Sequence, residues 1–111
     1  MSYLAQDQLY FDPAFQSRVR AVCVQQAETF KDDARPNWVA VADECLRGDG
    51  ETYLAFTRMA AGGPGIADKV DNGDGTIDQS QVTDADLLSL TQANWPTVAG
   101  LYFNDDGSPI T

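Results

Sequence analysis

At 111 residues, 43% apolar and 22% charged, the chain has room for one domain around one core, here taken as residues 1–111. It has no His, which excludes Ser-His and Cys-His pairs, an imidazole base and any His-ligated zinc. A net charge of −10 disfavours a basic groove for duplex nucleic acid and adhesion to an anionic membrane.

Ser2 can cap a short first helix through about Tyr10, with Leu4, Leu9, Tyr10 and Phe11 as its apolar contacts. Asp12-Pro13 is a stronger start signal, an acid at the cap followed by Pro at the first helical position. From there Phe15, Val19, Val22, Cys23, Ala27 and Phe30 fall on one helical face, which predicts a long helix to about Lys31. A break at Asp32-Asp33 ends at Pro36. Trp38, Val41, Ala42, Cys45 and Leu46 then stripe a helix from about Asn37 to Arg47, stopped by Gly48-Asp49-Gly50. Tyr53, Phe56, Thr57 and Ala60 align on the next helix, from about Glu51 to Ala61.

Gly62-Gly63-Pro64-Gly65 opens an irregular loop, 62–82. Such a long connection in a small domain is more often functional than idle. Thr83-Asp84-Ala85-Asp86 has capping-box spacing, with Asp in place of Glu or Gln, and starts the last helix. Leu87, Leu88 and Leu90 crowd its beginning and imply burial on more than one side. Pro96 is expected to kink it or end it early, and Gly100 to cap what remains. The predicted fold is mainly α: a small bundle of four to five helices with a helical core at 2–61 and 83–99. The long acidic loop has room for a short β-hairpin near 70–78, and residues 100–111 form a tail.

Acidity is unevenly placed. Residues 1–67 carry nine acids and six bases, whereas 68–111 carry eight acids and Lys69 alone. This suits either a solubilising surface or the surface of a basic partner. Cys23 and Cys45 both fall in predicted helices and read as buried small apolar residues, with a disulfide between facing helices as the alternative. The N-terminus has neither the basic nor the apolar region of a secretion signal, and no apolar run is long enough to span a bilayer.

One stretch resembles the start of an EF-hand or dockerin calcium loop. Setting Gly75 at loop position six gives Asn72, Asp74, Thr76 and Asp78 as oxygen donors. Val70 stands at position one and Gln81 at position twelve, where carboxylates belong, so no cofactor is expected and a tight turn is the competing reading. No spacing singles out a catalytic pair, and the chain is not expected to be an enzyme. Trp95, Tyr102 and Phe103 are the candidate interface anchors, although for the two tryptophans, Trp38 and Trp95, the domain core is the favoured place.

The opening Ser2-Tyr3-Leu4-Ala5-Gln6-Asp7 continues into Asp12-Pro13-Ala14-Phe15-Gln16-Ser17-Arg18-Val19-Arg20. Near the other end stand Thr83-Asp84-Ala85-Asp86-Leu87-Leu88, Ala93-Asn94-Trp95 and Val98-Ala99-Gly100-Leu101. Together these stretches cover about a third of the chain. They resemble small helical proteins encoded in the head-and-neck gene blocks of tailed bacteriophages. The resemblance implies a virion structural protein, a head-to-tail connector or neck subunit that forms homo-oligomers and is assembled in the host cytoplasm. It implies portal, capsid or other neck proteins as partners, no sequence-specific nucleic-acid contact and no catalytic residues. A capsid decoration or minor capsid protein, and a calcium-dependent binding module, are the alternatives.

Overall fold

Asp12 ends one helix and starts the next, and this junction sets the N-terminal half. Its carboxylate accepts from the Phe15 backbone N–H at 3.0 Å, and Pro13 occupies the first helical position. The computed structural model describes residues 3–48, 51–62, 76–78 and 81–110. In chain order they form β1 (Tyr3–Ala5), α1 (Gln6–Phe11), α2 (Pro13–Phe30), α3 (Pro36–Arg47), α4 (Thr52–Gly62), β2 (Thr76–Asp78) and α5 (Asp84–Tyr102). The protein is therefore a small, mainly helical bundle.

The apolar stripes become the core. Phe15, Val19, Val22, Cys23 and Ala27 of α2 are buried against Val41, Ala42 and Cys45 of α3 and Phe56, Ala60 and Ala61 of α4. The fifth helix packs against α2, α3 and α4 at once and contributes Leu87, Trp95, Val98 and Ala99. Leu9, Val82 and Phe103 close the same cluster. Trp95 is the largest fully buried side chain. It stacks on Phe56 at 5.4 Å, meets Phe30 at 5.1 Å, and donates its indole N–H to the Trp38 carbonyl at 3.3 Å.

Local signals set most helix ends. Gly48 takes φ 76° and its N–H donates to the Glu44 carbonyl, which stops α3. Between α2 and α3, the Asp33 carboxylate accepts from the Arg35 side chain at 2.7 and 2.9 Å and from its backbone N–H. The Arg35 guanidinium, and secondarily that backbone N–H, holds the Asp33 carboxyl at about 2. The same guanidinium covers the Trp38 ring face. At α5, Thr83 and Asp86 form the full reciprocal capping box at 3.1 Å each way. Thr83→Ala is expected to lower unfolding stability by about 1 kcal/mol in a urea titration, with an unchanged slope.

Four expectations are corrected. The first helix begins at Gln6, because Tyr3–Ala5 pairs antiparallel with Thr76–Asp78 in the register Tyr3↔Asp78, Leu4↔Ile77 and Ala5↔Thr76. Among the described residues this is the pairing that β2 makes, and the rest of the expected 70–78 hairpin lies outside them. Phe11 is not a core contact, being 70% exposed. Pro96 does not end α5, which runs on to Tyr102. Pro96 and Gln92 both lie on the exposed side, so water can satisfy the carbonyl that Pro leaves without its donor while the buried face holds the helix. Gly100 is accordingly inside the helix, and Phe103 is the C-cap.

The tail is tied down as far as Ile110. Phe103 bridges to Pro109, and the Ile110 N–H donates to the Tyr102 carbonyl at 3.0 Å. The turn between them needs Gly107 at φ 87°, where a Cβ would meet the Pro36 carbonyl oxygen at 3.0 Å.

Candidate functional site

The three sequence-derived anchors separate. Trp95 is 0% exposed and Phe103 6% exposed, so both belong to the core and neither is an interface residue. Only Tyr102, at 36%, reaches the surface. The reason is helical phase combined with the continuation of α5. Leu87, Thr91, Trp95 and Val98 lie on the buried stripe, and Phe103, just past the helix end, folds back under the tail bridge.

Tyr102 does not stand alone. It lines an open groove of about 230 Å³ together with Tyr10, Glu51, Leu54, Ala55, Arg58, Met59 and Leu101. Leu101 is 56% exposed. Phe11 is exposed and packs its ring edge-on against the groove residue Tyr10, its neighbour in sequence, at 4.8 Å. The ends of α1 and α5 and one face of α4 thus build a single surface strip. The sequence signal for it is the placement of Leu101 and Tyr102 in the last turn of a helix, with aromatic residues closing α1.

The groove lining has one acid, Glu51, and one base, Arg58, beside two phenols and aliphatic side chains. It is smaller than the usual enclosed small-molecule pocket and is open along one side. A second hollow of about 320 Å³ lies on α2 beside the start of α5, lined by Ser17, Arg18, Ala21, Val22, Gln25 and Asp84. There Arg18 donates to the Val82 carbonyl and pairs with Asp84 at 3.2 Å, tying α2 to the cap of α5.

Among the described residues, no three His, Cys, Asp or Glu side chains are grouped to hold a metal ion. Of the calcium-loop candidates, Asn72 and Asp74 lie outside the described residues. Thr76 and Asp78 are placed by backbone alone, in β2. No helix among the described residues is long and apolar enough to cross a membrane. No protein-family model, curated protein or solved structure matches this chain.

Proposed function

We propose that the protein is a non-enzymatic virion structural component of a tailed bacteriophage, a head-to-tail connector or neck subunit that acts by packing on copies of itself. The observation that carries the contact part of this reading is the exposed pair Leu101 and Tyr102 lining the α1–α4–α5 groove. The phage part rests on the resemblance of the two chain ends.

Charge favours this strip over the rest of the surface for self-contact. Two copies of a chain at −10 repel each other in general. The groove lining carries one acid, Glu51, and one base, Arg58, so a neighbour seated there meets little net charge. Salt should therefore promote association by screening the general repulsion while leaving apolar burial intact.

The test is assembly state and location. Native mass spectrometry and electron microscopy are expected to find ring-like oligomers, or the protein at the portal vertex of purified heads. A chain that stays monomeric and ignores portal-bearing heads would contradict the reading. Labelling spread over the whole shell would replace the connector role with a decoration role. Heat release and a raised melting temperature with millimolar calcium would favour a calcium-dependent module instead.

A further inference from the structure

A second concave surface lies at the other end of α5 from the groove. It is the hollow of about 320 Å³ on α2, lined by Ala21 and Val22 and flanked by Arg18 and Asp84. Asp84 opens α5, whereas Leu101 and Tyr102 close it. The 17 positions between Asp84 and Leu101 (101 − 84) put the two surfaces about 25 Å apart along the helix and about a quarter turn around it. They face different ways, and one helix fixes the angle between them.

That placement bears on how copies can meet. A patch that packs on its own counterpart closes a pair and stops there. A ring needs two different surfaces on each copy, one for the neighbour on either side. We propose that the α2 hollow is the second surface, so that Leu101 and Tyr102 of one copy seat against Ala21 and Val22 of the next, head to tail. This rests on the reading of the protein as a subunit that packs on copies of itself.

Room and charge both suit that contact. A cavity of roughly 150 Å³ holds a benzene ring. A hollow of about 320 Å³ therefore takes the Tyr102 ring with Leu101 beside it. Arg18 is fixed at the hollow's edge by its bonds to Asp84, at 3.2 Å, and to the Val82 carbonyl. Its guanidinium is placed to lie against the face of an incoming ring. Each surface carries one acid and one base, Glu51 and Arg58 at the groove and Asp84 and Arg18 at the hollow. Joining them brings no net charge to the seam, although each whole chain carries −10.

The experiment is sedimentation velocity and native mass spectrometry of the full native chain and of Ala21→Glu, Ala21→Lys and Leu101→Asp, alone and mixed. Ala21 is exposed in the middle of α2, so both of its variants should keep the native melting transition. Each is expected to weaken assembly about tenfold or more. The Lys variant is less acidic than the native chain, so its loss separates a blocked contact from added repulsion. Alone, Ala21→Glu and Leu101→Asp are each expected to be monomers. Mixed, each keeps one intact surface, so they should pair one to one and grow no further. Ala21 variants that assemble as well as the native chain would overturn the inference and leave the self-packing reading in place, as would a mixture that stays monomeric. A native chain that is monomeric at every concentration overturns both. If the Ala21 variants melt early, Gln25→Lys, exposed one turn further along the same hollow, takes their place.

Discussion

Trp95→Ala is expected to lower stability by roughly 3–5 kcal/mol, enough to leave a chain of this size partly unfolded at 37 °C. The indole fills the space where α2, α3, α4 and α5 meet, between Phe30 and Phe56. Truncation removes buried apolar area and both ring contacts. It also leaves the Trp38 carbonyl without its indole donor. Four helices surround the space, and they cannot collapse into it together without moving other contacts. Trp95→Phe keeps most of the volume and loses the hydrogen bond, so its cost should be roughly 1–2 kcal/mol. Denaturant melts followed by circular dichroism measure both, and equal costs for the two variants would show that the site relaxes freely around Ala.

Leu101→Asp is expected to weaken self-association at least tenfold, about 1.4 kcal/mol or more, while changing chain stability by less than about 0.5 kcal/mol. Leu101 is 56% exposed and forms part of the groove's apolar lining. A carboxylate there removes contact area from an interface and sets like charges against each other across it. Because the position is already in water, the folded chain loses little. The separation of the two effects distinguishes this variant from Trp95→Ala, which would abolish assembly by unfolding the subunit. Tyr102→Asp should act in the same direction but disturb the tail more, since the Tyr102 carbonyl anchors Ile110.

Helix starts and stops were legible because they are local. Asp12-Pro13, the Thr83–Asp86 box and Gly48 each announce a boundary through groups within four residues. The stripe from Phe15 to Ala27 was legible for a similar reason, since 3.6-residue periodicity shows which side is buried. The β1–β2 pairing was not, because its register joins Tyr3 to Asp78 across most of the chain and three-residue strands carry little pattern. Pro96 misled because propensity acts locally while α5 is held by three neighbouring helices. That error displaced the end of the helix and hid the groove. With α5 ending before Gly100, Leu101, Tyr102 and Phe103 look like one aromatic tail. With α5 running to Tyr102, Leu101 and Tyr102 face outward and Phe103 turns in. Phe11 was likewise assigned inward because its neighbours Leu9 and Tyr10 are apolar, and only the sharp turn at Asp12 sends it out.

The reading stands on the claim that the α1–α4–α5 groove is where one copy meets the next. Sedimentation velocity of the native chain and of Leu101→Asp, over a range of protein concentrations at moderate and high salt, tests it most directly. The account predicts that the native chain forms closed oligomers favoured by salt, and that the variant sediments as a folded monomer under the same conditions. A native chain that remains monomeric throughout, or a variant that assembles as well as the native chain, would contradict it.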